Sequence, residues 1–346
     1  MINVLVVDDS AVVRKILTQE LSKFPDINVI GTAVDPYVAR EKIVQLRPDV
    51  ITLDLEMPRM DGLSFLAKLM KHFPMPVVVL SSLTRDKSEA ALQALKLGAI
   101  EVLGKPGSSF STQNISQRLA EAIRVAAKAN VTQRVLPANV TTSLHSSGLT
   151  GLQTTYQVVA IGASTGGTKA LESVLAPLPV SFPGTVVVQH MPEHFTRTFA
   201  QHLNESSQIT VREAEDGDSI VPGQALIAPG NRHMVIERSG GTYRVKLKDG
   251  PRVHYQRPAV DVLFQSVAEQ AGKNVVGVIL TGMGADGAKG MKDMHDSGAY
   301  NIAQNEESCV VFGMPKEAIK AGGVDEVVAL NDIPNAMIKA LSKKQV

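Results

Sequence analysis

The chain has 346 residues, of which 44% are hydrophobic and 20% charged, and its formal net charge is +1. This length predicts two globular domains, and the near-neutral charge argues against nucleic acid or a membrane surface as the main partner. The single cysteine excludes an intramolecular disulfide and favours a reducing compartment. The first residues lack the features of a signal peptide, and no apolar run approaches the roughly 20 residues that span a bilayer. We therefore expect a cytoplasmic protein without direct membrane insertion.

Residues 1–125 alternate short apolar runs with amphipathic stretches. The predicted strands are 4–7, 29–30, 50–53, 77–80 and 101–103. Alternation at this spacing predicts a doubly wound parallel sheet with helices on both faces. Ligands of such sheets bind beyond the carboxyl ends of the strands, so polar residues at those ends are candidates for function.

Acidic side chains follow two of these strands: Asp8 and Asp9 end one, and Asp54 ends another. Three carboxylates at one sheet edge repel each other unless a cation lies between them, and oxygen ligands favour Mg²⁺. Lys105 and Ser81 follow later strands. Asp54 could then accept a phosphoryl group, with Lys105 and the metal neutralising the oxygens and Ser81 binding the product. A single carboxylate at such a place would more often cap a helix or close a turn.

Residues 126–153 differ in composition, because Ser, Thr, Asn and Gly accumulate and the apolar periodicity stops. This composition predicts a linker. Residues 154–346 return to an α/β pattern, which predicts a second doubly wound, mainly parallel domain. Its predicted strands are 156–161, 184–189, 225–228, 275–280 and 326–330, and segment 238–248 predicts an antiparallel hairpin inserted into the sheet.

Two glycine-rich segments of the second domain suggest nucleotide binding. Residues 162–167 have the glycine spacing of a phosphate-binding loop, but Thr168 and Lys169 reverse the required Lys-Ser/Thr order. Segment 282–287 (GMGADG) matches a dinucleotide-binding pattern. That segment comes late in its domain and places an aspartate where the pyrophosphate would lie. Neither segment is strong evidence for a nucleotide.

Segment 190–194 (HMPEH) has the spacing of an inverted zincin motif. That motif needs both histidines on one helical face, and Pro192 disfavours a helix at the preceding residue. We therefore expect His190 at a strand end and no zinc at this segment.

Ser164 lies in GASTG, between a predicted buried strand and a helix, where a hydroxyl would meet the amides of a helix N-terminus. Serine is also a common helix N-cap, and taken alone this is the simpler interpretation of Ser164. His190 and Asp286 also follow strands of the same sheet. A hydroxyl, an imidazole and a carboxylate that meet at one sheet edge are the parts of a nucleophilic hydrolase. A structural histidine and a turn aspartate remain the alternatives for these two residues.

Residues 1–125 resemble response-regulator receivers along essentially their whole length. The resemblance is carried by Asp8, Asp9, Asp54 within LDLEMPRMDG, Ser81, Lys105 and Pro106. It implies a flavodoxin-like fold, phosphorylation of Asp54 by a histidine kinase, and Mg²⁺ held by Asp8, Asp9, Asp54 and the backbone carbonyl of Glu56. Val102 stands where many receivers carry an aromatic residue, so the resemblance does not extend to a signal by rotation of that ring.

From Tyr156 to about Leu341 the chain is similar to the catalytic domain of the CheB family of chemotaxis receptor methylesterases. The matching segments are IGASTGG, VVVQHMPEHFT, APGNRHM, ILTGMGADGAKG and GAYNIAQNEESCVVFGMP. The resemblance implies hydrolysis of γ-glutamyl methyl esters on chemoreceptors with release of methanol, together with glutamine deamidation. It assigns Ser164 as nucleophile, His190 as base and Asp286 as the carboxylate that orients the base. The ester hydrolysis would need no cofactor.

The same resemblance implies that the backbone amide of Met283 stabilises the oxyanion, with help from the amide or hydroxyl of Thr165. It also implies that the unphosphorylated receiver covers the serine site and that phosphorylation of Asp54 loosens this cover. Two alternatives stay open from the residues themselves. The second domain could be a non-catalytic adaptor controlled by phosphorylation, or a nucleotide-dependent enzyme. A DNA-binding output domain is disfavoured by the neutral charge.

Overall fold

The computed structural model describes residues 1–57, 60–81, 88–105, 112–129 and 156–343, with side chains described from Ser116 onward in the fourth range. These residues form two compact units, which divide between positions 139 and 140. The division falls inside the predicted linker. Residues 130–153 of that linker lie outside the described part of the chain.

The first unit is built on a five-stranded parallel sheet in the order β2-β1-β3-β4-β5. Its strands are β1 (Ile2–Val7), β2 (Ile27–Ala33), β3 (Val50–Asp54), β4 (Val77–Ser81) and β5 (Glu101–Gly104). The helices between and after them are α1 (Ala11–Leu21), α2 (Pro36–Leu46), α3 (Gly62–His72), α4 (Ser88–Leu97) and α5 (Thr112–Lys128). Each predicted strand lies within an observed one, so the doubly wound fold is confirmed.

Helix α5 continues beyond the predicted domain boundary at residue 125 and ends at Lys128. Val125 and Ala126 are buried, so the last turn of the helix still contributes apolar side chains to the core of the first unit. The first unit therefore extends at least to Lys128, three residues past the predicted boundary.

The second unit contains ten strands and six α-helices within residues 156–343. The strands are β6 (Val158–Ala163), β7 (Gly184–Gln189), β8 (Thr210–Glu213), β9 (Ser219–Ile220), β10 (Gln224–Ile227), β11 (His233–Ser239), β12 (Thr242–Lys248), β13 (Val275–Ile279), β14 (Tyr300–Gln304) and β15 (Glu326–Val328). The helices are α6 (Gly167–Leu175), α7 (Phe195–Ser206), α8 (Val260–Ala271), α9 (Ala288–Asp296), α10 (Met314–Lys320) and α11 (Ile333–Lys343).

Seven of these strands form a parallel sheet in the order β15-β14-β13-β6-β7-β10-β8. The chain enters at the central strand β6, winds to one side through β7, and returns to the other side at β13. The strand order therefore reverses between β6 and β13, and ligands of open α/β sheets bind at such a reversal.

The predicted hairpin exists, but its first strand begins at His233, before the predicted range 238–248, and its placement in the large sheet was wrong. Strands β11 and β12 pair antiparallel and, with β9, form a separate three-stranded sheet. Alternate residues of β12 are exposed, and β11 packs against α8. This small sheet therefore has one apolar face to bury and cannot occupy a position in the wound sheet, where both faces are covered.

The central strands of the large sheet are buried along their whole length, as expected for Val- and Ile-rich strands covered on both faces. Gly162 near the end of β6 shows how tightly the covering helix packs. A Cβ at that position would overlap the side chain of Val260 at the start of α8. The glycine therefore allows α8 to approach the end of the strand that leads to Ser164.

Candidate active site

The acidic residues of the first unit meet at one end of its sheet, as predicted. Asp54 and Asp8 are buried, Asp9 is exposed, and one carboxylate oxygen from each lies within 4.8 Å of the others. The Lys105 ammonium lies 2.6 Å from Oδ2 of Asp54 and 3.2 Å from Oδ2 of Asp8. Apart from that ammonium, both Oδ2 atoms are buried without a hydrogen-bond partner among the described residues. An oxygen-rich cluster with unsatisfied carboxylate oxygens fits Mg²⁺.

The remaining predicted residues of this cluster lie next to Asp54. Ser81 ends β4 and is buried, and its carbonyl accepts a hydrogen bond from the Lys105 amide (3.1 Å). The Glu56 amide donates to Oδ1 of Asp54 (3.0 Å). Its carbonyl as a metal ligand stays a prediction. Val102 is buried in β5, opposite Val79 of β4.

Burial raises the pKa of Asp54 above its usual value, although the hydrogen bonds from Lys105 and from the Glu56 amide oppose this shift. Burial would lower the pKa of Lys105, but its pairing with Asp54 and Asp8 outweighs this effect and leaves its pKa raised. The lysine therefore stays charged beside the carboxylates.

Ser164 directly follows β6 in the second unit and is half-buried. Its amide donates to the carbonyl of Thr281, just beyond β13 (3.0 Å). Helix α6 begins at Gly167, and its N-cap is Gly166, at φ 81° and without a side-chain hydrogen bond. Ser164 is therefore not the cap of this helix, and its hydroxyl makes no hydrogen bond with any residue that the structure describes.

His190 follows β7, the strand beside β6. The strands pair Ala163 with Gln189, so the next residue of each, Ser164 and His190, leaves the same sheet edge. Nε2 of His190 lies 2.7 Å from Oδ2 of Asp286, and because a carboxylate only accepts, Nε2 carries the hydrogen. Nδ1 is buried and has no hydrogen-bond partner among the described residues. It is therefore the nitrogen available to act as a base.

Asp286 lies in the loop between β13 and α9 and is 2% exposed. Besides His190, it accepts the backbone amides of Val260 (2.7 Å) and Asp261 (2.8 Å), which are the first two residues of α8. Burial would raise the pKa of Asp286, but the hydrogen bond and charge of His190 and these two amides outweigh it, and the pKa lies below its ordinary value of 3.8. Asp286 is thus held as a carboxylate.

The loop that contains Met283 presents a free amide beside the serine. Both backbone groups of Gly282 are hydrogen-bonded to the segment 311–314. A Cβ on Gly282 would lie 2.7 Å from Cβ of Ser164, so this loop runs in contact with the serine side chain. The next amide, that of Met283, makes no hydrogen bond within the described residues. An unsatisfied amide at this place suits a developing oxyanion.

Thr165 is buried, and its carbonyl accepts a hydrogen bond from the Thr281 hydroxyl (3.0 Å). The same hydroxyl oxygen accepts the amides of Val310 and Val311. Thr281 lies two residues beyond the buried strand β13 and was not among the predicted site residues. Thr281 connects the serine loop to the 310–314 segment and so fixes both sides of the site.

The competing patterns take other roles in the structure. His194 has φ 73° and precedes α7 as its N-cap, while His190 directly follows β7 and lies outside any helix, so the two histidines of HMPEH do not share a helical face. In the GMGADG loop, the aspartate side chain faces His190 and the start of α8, which leaves it no role beside a pyrophosphate. Within the described residues, no helix is long and apolar enough to cross a bilayer.

Comparison with protein families identifies both units. Residues 159–337 match the CheB methylesterase model, and residues 4–120 match the response regulator receiver domain. The chain belongs to the CheB methylesterase family. The predicted resemblance to this family, with a receiver in front of the catalytic domain, is confirmed.

Individual relatives agree with this family along nearly the whole chain. A protein-glutamate methylesterase/protein-glutamine glutaminase 2 of Syntrophus aciditrophicus is 56% identical over 98% of both chains. A protein of the same activity name from Pectobacterium atrosepticum is 54% identical over 99% of this chain and 98% of its own. The crystal structure of the CheB methylesterase catalytic domain from Thermotoga maritima covers 53% of this chain and 97% of its own, with 41% identity and a TM-score of 0.52.

Proposed function

We propose that this protein is a phosphorylation-activated protein-glutamate methylesterase that hydrolyses γ-glutamyl methyl esters on chemoreceptors, releases methanol, and also deamidates glutamine side chains. Relatives that carry both activity names match the chain along nearly its full length. The observation that carries the chemistry is the hydrogen bond between His190 and the buried carboxylate of Asp286, at the sheet edge where Ser164 also leaves its strand.

The reaction begins with attack of the Ser164 oxygen on the ester carbonyl carbon, while Nδ1 of His190 takes the hydroxyl proton. Asp286 keeps the imidazole in the tautomer with hydrogen on Nε2 and stabilises the imidazolium that forms. The carbonyl oxygen becomes negative and accepts a hydrogen bond from the amide of Met283, with the amide or hydroxyl of Thr165 as a second donor.

The tetrahedral intermediate then expels the methoxy group, which takes the proton from His190 and leaves as methanol. Water attacks the resulting glutamyl-serine ester, with His190 again accepting a proton and returning it to Ser164. The products are a glutamate side chain and free enzyme. A glutamine side chain follows the same path with ammonia as the leaving group, because both reactions are acyl transfers at a glutamyl carbonyl.

The receiver supplies regulation in this proposal. A chemotaxis histidine kinase, or a small phosphodonor, phosphorylates Asp54, and Asp8, Asp9, Asp54 and the backbone carbonyl of Glu56 would hold Mg²⁺. The metal, when bound, neutralises charge on the phosphoryl oxygens. Lys105 adds a second positive charge at the same oxygens, and Ser81 binds the phosphoryl group. The unphosphorylated receiver covers the serine site, and phosphorylation loosens this cover.

The test is methanol release from membranes that contain methylated chemoreceptors, with and without a small phosphodonor. We expect release to increase with the phosphodonor and to disappear in Ser164→Ala, while phosphorylation of Asp54 is unchanged. Ser173→Ala, an exposed serine on α6, is the matched control and should retain activity. Substantial release by Ser164→Ala would end the nucleophile assignment. Failure of the unsubstituted chain to react with a fluorophosphonate at Ser164 would favour the non-catalytic adaptor.

A further inference from the structure

A second carboxylate lies next to the triad carboxylate and has its own histidine. Asp261, the second residue of α8, is buried, and its amide donates to Oδ1 of Asp286 (2.8 Å). Oδ2 of Asp261 accepts a hydrogen bond from Nε2 of His254 (3.0 Å). One ring nitrogen of His254 and one carboxylate oxygen each of Asp261 and Asp286 lie within 4.8 Å of one another. Neither His254 nor Asp261 has a part in the mechanism above.

The two carboxylates hold each other in place through exchanged helix amides. Asp286, just before α9, accepts the first two amides of α8. Asp261, in the first turn of α8, accepts the amide of Gly290 in the first turn of α9 (2.7 Å). Each helix thus contributes a carboxylate to the positive N-terminal end of the other. Movement of the Asp261 side chain would shift α9 relative to α8 and, with it, the carboxylate that orients His190.

The electrostatics of this pair are unequal. Burial raises the pKa of Asp261 above its usual value, the charge of Asp286 adds to the shift, and the hydrogen bonds from Gly290 and His254 oppose it. The pKa of Asp286 is lowered instead. Two carboxylates this close disfavour each other's ionisation unless a cation compensates. His254 is the side chain placed to supply that cation, because its Nε2 lies 3.0 Å from Oδ2 of Asp261.

We propose that Asp261 and His254 form an outer carboxylate–imidazole pair that positions Asp286 and, through its net charge, sets the pH at which His190 becomes a base. This inference rests on the proposed function, because it assigns the pair to the His190–Asp286 dyad of that reaction. A negative Asp261 stabilises the protonated form of His190, and a protonated His254 cancels that influence. Both residues act through Asp286 and are positioning residues.

Other titratable or charged groups lie on the segments that carry the pair or on neighbouring segments, and the variants leave them unchanged. They are Glu193 and His194 after β7, Lys289 on α9, Arg252 and Arg257 in the segment that carries His254, and the buried His233, whose Nδ1 accepts the amide of Ala259 just before α8 (3.3 Å). Arg257 donates to the carbonyl of Gly250 and to the side chain of Asn231. Each variant changes only one member of the outer pair, so these groups are the same in all the proteins compared.

The test is an NMR titration of the histidine rings in the full-length, unphosphorylated chain with labelled histidine. The chain has 8 histidines, and the His190 signal is assigned by its loss in His190→Gln. We expect Asp261→Asn to move the titration midpoint of His190 to lower pH by about 0.5 unit, and His254→Gln to move it to higher pH. A purely structural role would not give shifts of opposite sign. Unmoved midpoints, or shifts in one direction for both variants, would overturn the proposal.

His295→Gln is the matched control, because His295 pairs with Asp325 (3.3 Å) near the C-terminal end of α9 and is 39% exposed. This variant should leave the His190 midpoint in place. If Asp261→Asn does not fold, His254→Gln still decides the outcome, since its side chain is on an exposed turn.

The rate of fluorophosphonate labelling at Ser164 as a function of pH separates this inference from the proposed function. If the acidic side of the pH–rate profile shifts in opposite directions in Asp261→Asn and His254→Gln, the result supports the role proposed for the outer pair. If the unsubstituted chain is not labelled at any pH, the proposed function is contradicted. If labelling occurs with the same pH dependence in all variants, only the role proposed for the outer pair is contradicted.

Discussion

His190 contacts Asp286 through Nε2, at 2.7 Å, and keeps Nδ1 buried and without a partner. In the familiar serine-protease triad the two nitrogens have the opposite assignment, with Nδ1 toward the carboxylate. The two nitrogens of His190 have exchanged roles because the amides of α8 fix the Asp286 carboxylate on the Nε2 side of the ring. What the chemistry needs is one nitrogen held by a carboxylate and the other free to take a proton, and both arrangements provide this.

Asp286→Asn should lower kcat for ester hydrolysis by roughly 10³- to 10⁴-fold with little change in KM. The amide cannot stabilise the imidazolium that forms on His190, and it can hold the ring in the wrong tautomer. Steady-state methanol release at a temperature well below unfolding measures this effect. Asp296→Asn, an exposed residue paired with Lys292 on the same helix, is the control. A loss of less than tenfold in Asp286→Asn would contradict the assigned role.

The stability cost of Asp286→Asn should depend on pH. In the folded protein the pKa of Asp286 lies below its ordinary value of 3.8. As the pH falls, this carboxylate is therefore protonated in the unfolded chain before it is protonated in the folded protein. The contribution of the Asp286 carboxylate to the free energy of unfolding is therefore fully present above about pH 4 and declines as the pH falls below that value. Thermal unfolding of both proteins from pH 7 to pH 3 should show a difference in Tm that is largest at neutral pH. A difference that grows on acidification would contradict the lowered pKa.

Gly282→Ala should reduce activity by at least tenfold, because the new Cβ would lie 2.7 Å from Cβ of Ser164 and would also overlap Met314. Either Ser164 moves away from His190 or the loop with the Met283 amide shifts, and both changes weaken transition-state binding. Methanol release and the rate of fluorophosphonate labelling report the effect. Gly250→Ala is the control, since its Cβ would have only an ordinary contact, 3.6 Å from His233. Equal activity of the two variants would show that the close approach is not needed.

Mg²⁺ should stabilise the receiver through Asp8, Asp9 and Asp54. A free Mg²⁺ concentration of ten times the Kd adds about 1.4 kcal/mol to the free energy of unfolding of the receiver. This increase is measured as a higher Tm for the receiver transition. Asp9→Asn should weaken this response, because it removes the exposed ligand and leaves the buried pair with Lys105 in place. Glu41→Gln, which changes another exposed carboxylate of the receiver, should respond like the unsubstituted chain.

EDTA should block phosphorylation of Asp54, and phosphorylation that persists in EDTA would exclude the magnesium assignment.

A fragment that begins at Tyr156 should hydrolyse the ester without any phosphodonor, because it lacks the proposed cover. The corresponding domain of the Thermotoga maritima relative forms crystals by itself, which supports independent folding of this part. In the full-length chain, Asp54→Asn should abolish activation by a phosphodonor. The fragment should also be insensitive to EDTA. A fragment that needs the receiver for activity would be incompatible with the inhibitory arrangement.

The sequence determined most of the fold because its signals are local. Short apolar runs at regular spacing predicted every strand of the receiver sheet, since parallel strands covered on both faces are apolar along their length. The short strands β8 and β9 were missed, as was β14, in which Asn301 and Gln304 are buried polar residues. Such residues interrupt an apolar run, and only their tertiary partners make them compatible with a strand. Asn301, for example, donates to the carbonyls of Met291 and Gly323.

The sequence also identified Ser164, His190 and Asp286 as candidates, because each directly follows or lies near the end of a predicted strand. Only the tertiary structure decided how they relate. Asp286 is 96 residues from His190, and no local pattern encodes the distance between them or the nitrogen that faces the acid. The pair of His254 and Asp261 was not predicted either, because one lies in an exposed turn and the other in a helix. They are only seven residues apart, but their contact depends on how the turn folds back onto the start of α8, and the role of Asp261 depends on its contact with the Gly290 amide of α9.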